Sequence, residues 1–329
     1  MTLRLVLFLS LLAAAVAGCG GGGSGSGTSG VTPIPTSSNR SGLEVLTLGD
    51  DLVVGIGTSS CGVTLPSSAC PSNAANPGSL QSVAPNGWSQ LFGSSLNLPR
   101  YQPLGFVALG VTGALSGDAP MKEGVTGDLI VNPGQFPALS QLISSARSRN
   151  IKLLIVFESG INDVLDAFYS DQCRATGGSP SGGGSASLAA PCTASNTSLA
   201  DTAGNVRNGS YYHGYLSLLA NLVNLAGGPP EGTLIVGVPD VGSIPFFAGQ
   251  TSATQRAALT ADSQLANSAL RAAIADSGLH NVTFADWFAY NQQNPQNYTS
   301  SYYAADFFHL SDLGHRTLAS FVESVFPGV

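Results

Sequence analysis

Five short apolar runs rich in β-branched residues, Val45–Leu48, Gly105–Leu109, Ile151–Phe157, Leu234–Val238 and Val282–Ala285, are spaced along the chain, each closed by Gly, Pro, Asp or Ser. Runs of this length without polar alternation predict strands buried on both faces, as parallel sheets require. Between them lie helical patterns at Gly87–Leu96, Phe136–Arg149, Tyr211–Leu225 and an Ala-rich stretch from Thr251 to Ser277. A final helix is expected from Ser311, whose hydroxyl can cap it, to about Val325. Strands alternating with helices predict a three-layer α/β domain of about five parallel strands.

The domain does not begin at residue 1. Arg4, an apolar run from Leu5 to Val16, and the small residues Ala17 and Gly18 before Cys19 have the layout of a secretory signal. The apolar stretch is too short to span a bilayer. Val16-Ala17-Gly18-Cys19 resembles a bacterial lipobox, in which Cys19 becomes the lipidated N-terminus after removal of residues 1–18. Several acyl chains on one cysteine would hold the protein to a membrane surface without a spanning helix. Residues 19–42 are dominated by Gly, Ser, Thr and Pro and bury too little apolar surface to offset chain entropy, so they read as a tether. Residues 43–329 then form a single domain exported to the bacterial cell envelope.

Four cysteines remain beyond Cys19, namely Cys61, Cys70, Cys173 and Cys192, an even set that suits an oxidising compartment. Three pairings are possible, and sequence proximity favours Cys61 with Cys70 and Cys173 with Cys192, against a reading as buried free thiols. The formal charge is −7. Loss of residues 1–18 removes Arg4 and no acid, which makes the balance more negative and argues against nucleic acid as a partner. No spacing of His, Cys and Asp suggests a metal site, and no cofactor is implied.

In a parallel α/β sheet the loops beyond the carboxyl ends of the strands converge on the ligand crevice. Those loops carry Gly49-Asp50-Asp51-Leu52, read as a strand-to-loop turn; Gly110-Val111-Thr112-Gly113; Gly160-Ile161-Asn162-Asp163; Pro239-Asp240; and, beyond the last strand, Asp306-Phe307-Phe308-His309. Individually each has an ordinary explanation. Gly110 and Gly113 suit a tight turn, Asn162 and Asp163 could cap a helix from Val164, and His315 suits a packed or exposed place on the last helix rather than chemistry. In this order and spacing they resemble the sequence blocks of the SGNH (GDSL-type) hydrolases, with Gly49-Asp50-Asp51-Leu52 as the first block, Gly110 the second, Gly160-x-Asn162-Asp163 the third and Asp306-x-x-His309 the fifth. The resemblance runs from about Leu43 to the C-terminus.

The resemblance implies a flavodoxin-like fold and hydrolysis of an ester or acetyl group, with a small-molecule ester or acetylated saccharide as substrate. His309 takes the part of the general base and Asp306 orients it. Asn162, the backbone N–H of Gly110 and that of residue 51 form the oxyanion hole. The departure is the nucleophile: where the family has serine, this chain has Asp51. A carboxylate has no proton to give up at neutral pH, and with Asp50 and Asp306 it adds negative charge near a developing oxyanion. Three outcomes stay open. Asp51 attacks as a carboxylate, Asp51 and His309 together activate a water, or the chain is an inactive relative that binds a saccharide or acylated ligand. Ser59, Ser60, Ser116 and Ser159 do not hold the position after the first strand. Phe246-Phe247, Trp287-Phe288 and Tyr302-Tyr303 are candidates for lining the crevice or the core.

Overall fold

In the computed structural model the described residues are 42–62, 84–96, 103–110, 135–158, 160–165, 167–168, 199–201 and 203–326. They belong to one compact unit, Pro35–Val329. Five parallel strands, β1 (Leu43–Gly49), β2 (Pro103–Gly110), β3 (Lys152–Glu158), β4 (Gly232–Val236) and β5 (Val282–Ala285), pair in the order β2-β1-β3-β4-β5. Each expected strand is present. β1 is buried along its whole length and β3 along all but its first residue, which is why both read as unbroken apolar runs.

The helices are α1 (Asp51–Val54), α2 (Trp88–Ser95), α3 (Gln135–Ser148), α4 (Ser210–Val223), α5 (Pro245–Gln250), α6 (Ala253–Asp276), α7 (Trp287–Gln293) and α8 (Asp312–Val325). A helical turn also covers residues 161–165. α2 packs on α8, and α4 packs on α6, so helices flank the sheet. Local sequence sets the two longest-range boundaries. Ser252 and Gln255 form a reciprocal capping box before α6, and the Ser311 hydroxyl, the cap that the sequence predicts, accepts from the Gly314 N–H to start α8.

Two boundaries differ from expectation. The fourth strand stops at Val236 because Val238 bonds through both backbone groups to the Asn267 side chain on α6 rather than to a neighbouring strand. Residues 49–57 are not simply a turn, since α1 begins at Asp51. Asp50 caps it: its carbonyl accepts from Val53 and Val54, and its Oδ1 accepts from the Leu52 N–H at 3.1 Å. Trp287 and Phe247 are core residues, as is Tyr303, while Phe246 is only partly buried.

β1 is followed by β2 on one side of it and β3 on the other, so the chain reverses its direction of travel across the sheet between β1 and β3. Such a switch point opens a crevice at the carboxyl edge. Gly49 is level with Gly110 on one side and Glu158 on the other, so the loops after the first three strands leave the sheet side by side. Among the described residues no helix is long and apolar enough to cross a membrane. Cys19, Cys70, Cys173 and Cys192 lie outside the described residues, and Cys61 is disulfide-bonded.

Candidate active site

The acid–histidine pair is built almost entirely from local geometry. Asp306 Oδ1 accepts the backbone N–H groups of Phe308 and His309 at 3.0 and 3.1 Å, a turn that brings its Oδ2 to 2.5 Å from His309 Nδ1. Burial alone would raise the Asp306 carboxyl; the hydrogen bond and charge of His309 and the two N–H donors outweigh it and hold the carboxyl below its ordinary value. An ionised Asp306 accepts at Nδ1–H and so leaves the basic lone pair on Nε2. Nε2 has no hydrogen-bond partner among the described residues, and the His309 side chain is 18% exposed, which keeps the base reachable.

The loop carrying the pair is fixed at both ends. Ala304 N–H donates to His309 O at 2.8 Å, Ser311 N–H donates to Tyr302 O at 2.9 Å, and Tyr303 forms a bridge with Leu310. Phe308 turns inward, its ring 6.0 Å from Phe246 and 6.2 Å from Phe247, and meets the His309 ring edge-on at 5.0 Å. Of the aromatic pairs named as candidates, Phe246 thus reaches the neighbourhood of the histidine.

Three attachments clasp the segment after α1 to the one around His309. Gly57, at φ 95°, packs directly against the backbone of His309 and Leu310. Ser59 donates to Asp312 through its N–H at 2.9 Å and its hydroxyl at 2.6 Å, and Asn86 donates to the Ser59 hydroxyl. Burial pushes the Asp312 carboxyl up, but the Ser59 and Asn86 donors, with Arg316, bring it below its ordinary value. Third, His315 is fully buried: Nε2 faces the Ile56 carbonyl at 3.2 Å, and Nδ1 accepts the Trp88 N–H at 3.2 Å. This fixes the Nε2–H tautomer. Burial drives the His315 imidazole down to about 4, with the Ile56 carbonyl opposing.

These contacts were not legible in the sequence. The sequence leaves His315 either packed or exposed on the last helix, and the partners that define its buried role are backbone groups 227 and 259 residues away. Ser59 and Asp312 are 253 residues apart.

The first and third loops meet below the crevice. Asp50 is buried, and its Oδ2 accepts from Asn162 Nδ2 at 3.4 Å. Its charge is therefore spent on a helix cap and an amide rather than being exposed toward the crevice. Asn162 and Asp163 lie inside the 161–165 turn, so neither caps a helix from Val164. The turn begins at Gly160, at φ 136°, where a β-carbon would stand 2.4 Å from the Tyr211 hydroxyl and 2.5 Å from Val238 Cγ2. Only glycine brings the backbone this close to the buried ring. Burial lifts the Tyr211 phenol well above its ordinary value, and nearby Tyr215, Asp163, Glu158 and Asp50 add to the shift.

Asp51 opens α1 at the carboxyl end of β1, with its side chain outside the described part of the structure; Gly110 closes β2. Thr112, Gly113, Ser116 and Ser159 lie outside the described residues. No group of three or more His, Cys, Asp or Glu among the described residues could hold a metal ion.

A parallel sheet in this strand order, with an acid-oriented histidine beside the loops of its carboxyl edge, defines a flavodoxin-like α/β protein of the SGNH-hydrolase type. The chain belongs to the GDSL-like lipase/acylhydrolase family, whose sequence profile matches residues 45–322. The family is one of ester hydrolases.

Similar solved structures include the lipase Lip_vut3 from a goat rumen metagenome, at 12% identity and TM-score 0.50, covering 87% of this chain and 98% of that one. An extracellular lipase from Streptomyces rimosus matches at 13% identity and TM-score 0.48, covering 87% and 100%. LAE5, an alpha/beta hydrolase enzyme from the metagenome of Lake Arreo, matches at 14% and 0.47, covering 87% and 96%. At such identities the likeness concerns the fold alone. No curated protein matches the chain.

Proposed function

We propose that the protein hydrolyses small-molecule esters, carboxylic or acetyl, by general-base activation of water at His309, with Asp51 in place of the family's serine. The observation that carries this reading is the 2.5 Å pairing of Asp306 with His309 Nδ1, which leaves Nε2 as the acceptor. A serine gives its proton to such a base and attacks. A carboxylate at neutral pH has none to give, so with Asp51 in that position the proton His309 removes must come from water. The water's oxygen attacks the ester carbonyl; collapse of the tetrahedral intermediate expels the alkoxide, which takes the proton back from the imidazolium.

The N–H groups of Gly110 and residue 51, with Asn162, are the proposed oxyanion donors. The Asp50 carboxylate supports this by holding the Asn162 amide from below: Asn162 Nδ2 donates to its Oδ2, while its Oδ1 accepts the Leu52 N–H of the first loop.

The test uses nitrophenyl acetate with the parent, Asp51→Ser, Asp51→Asn and His309→Ala. Parent turnover that His309→Ala abolishes supports the proposal. A silent parent beside an active Asp51→Ser variant would show a disabled esterase scaffold, and tight binding of a saccharide or acylated ligand without turnover would then assign it a binding role. Single turnover in 18O-water with rapid quench distinguishes the two active routes: label in the Asp51 carboxylate or an acyl adduct on the protein by mass spectrometry means a covalent acyl anhydride, and direct attack by water gives neither.

We also propose that Cys19 carries the lipid that holds the domain at the envelope surface, and that Cys61 pairs with Cys70 and Cys173 with Cys192. Fatty-acid labelling lost in Cys19→Ala tests the first. Peptide mapping without reduction tests the second.

A further inference from the structure

The large hydrophobic side chains that are exposed among the described residues are Phe307, at 48%, and Leu313, at 37%. They bracket His309 in the chain, two residues before it and four after. Phe307 carries a second anomaly. Its φ of 58° places a bulky residue in the left-handed region, where the other two non-glycine residues, Asn150 and Asn281, are of the type that tolerates it.

The conformation is imposed from both sides. Phe307 N–H donates to Ala304 O at 2.9 Å, and its carbonyl accepts the Phe246 N–H at 2.9 Å. The next residue, Phe308, turns its ring into the wall of Phe246 and Phe247 and against the edge of His309. If the turn served only to close the Asp306–His309 pair, Gly or Asn at 307 would fit the backbone and expose no apolar surface. Here an aromatic ring is held in solvent on a strained backbone beside the base, and strain of this kind clusters at ligand-contacting positions.

We propose that Phe307 is a specificity-determining residue that contacts the acyl chain of the ester, and that the site therefore selects acyl groups several methylenes longer than acetyl. This rests on the hydrolase reading above. Phe307 is exposed two residues before His309, and its backbone carbonyl holds Phe246, whose ring packs with Phe308 beside the base, so an acyl chain leaving a carbonyl positioned for attack would meet aromatic rather than charged side chains. Each methylene laid on such a surface gains affinity, whereas acetyl is too short to use it.

The test compares kcat/KM for nitrophenyl acetate and octanoate in the parent, Phe307→Asn and Phe307→Tyr. Asn suits the left-handed backbone, so this variant is expected to unfold no earlier than the parent. The octanoate-to-acetate ratio should fall at least fivefold in Phe307→Asn and stay within twofold of the parent in Phe307→Tyr, which keeps the ring. An unchanged ratio in Phe307→Asn overturns the proposal.

Binding of 2-decanone, a ketone with no alkoxide to lose, read by calorimetry, separates this from failure of the hydrolase reading. A parent without turnover that binds 2-decanone at least fivefold more tightly than Phe307→Asn sustains the acyl-chain contact; equal binding overturns it. Loss of association with phosphatidylcholine vesicles in Phe307→Asn, with an unchanged chain-length ratio, would assign the ring to a lipid surface and also overturn it.

Discussion

Gly57 lies so close to His309 that a β-carbon at residue 57 would stand 2.8 Å from His309 Cβ and 2.3 Å from the carbonyl oxygen of Leu310. The loop after the first strand and the loop carrying the base are thus packed backbone to backbone. Gly57→Ala must both adopt φ near 95° and push the His309 segment away. We expect a loss of about 2–4 kcal/mol in urea unfolding, the combined effect of an L-residue at positive φ and a backbone clash, and a drop in ester turnover of at least tenfold.

Asp306→Asn removes the acceptor that selects the Nδ1–H tautomer of His309. Turnover should fall about 100- to 10,000-fold with little change in substrate binding, measured as kcat against KM. The Asp306 carboxyl is held below its ordinary value of 3.8, so its contribution to stability is complete above that pH and lost as the pH falls below it. Acid unfolding below pH about 4 should be shallower in Asp306→Asn than in the parent.

His315 reports in a different window. A base whose imidazole falls from 6.5 to about 4 on folding is neutral in the native state. Below 6.5 the unfolded chain takes up the proton and the native state does not. The stability that is complete above 6.5 is therefore lost as the pH falls toward 4, by about 3 kcal/mol from this group. Urea unfolding across this range should show that slope in the parent and a flattened one in His315→Gln, which keeps a donor and an acceptor but does not titrate.

Away from the site, Arg147 and Glu231 pair at 3.0 Å with each side chain 8% exposed. Arg147 also donates to the carbonyls of Gly228 and Pro229, while Glu231 accepts the Leu153 N–H at 2.7 Å, so the pair pins α3 and the start of β4 to the entry of β3. Arg147→Met takes the guanidinium away from a buried carboxylate and should cost about 3–5 kcal/mol. Arg147→Met with Glu231→Gln should recover part of that loss, since an amide is cheaper to bury than a carboxylate that has lost a cationic partner. Denaturant titration of both variants measures the difference.

What could be read from the residues alone follows the range of the forces involved. The five strands were legible because a strand buried on both faces must be apolar throughout, and the cap at Ser311 because a hydroxyl can bond an amide three residues on. The Asp306–His309 pair is of the same kind, a contact across three residues that an Asp turn closes by itself. The α1 turn was missed because Asp50 reads equally as a loop residue until its carbonyl and carboxylate are seen capping Leu52, Val53 and Val54.

The tertiary structure decided what these local pieces face. Strand order places the switch point between β1 and β3, which no periodicity encodes. Asp50 is turned onto Leu52 and Asn162 instead of exposing its charge, because the third loop arrives beside the first only once β1 and β3 are paired. The clasp of Gly57, Ser59 and His315 on the base-bearing segment joins residues more than two hundred and fifty positions apart, and their partners are largely backbone groups that every sequence possesses. Side-chain chemistry and periodicity are written residue by residue and so belong to the sequence. The choice of which backbone groups meet is made only when the sheet brings its loops together.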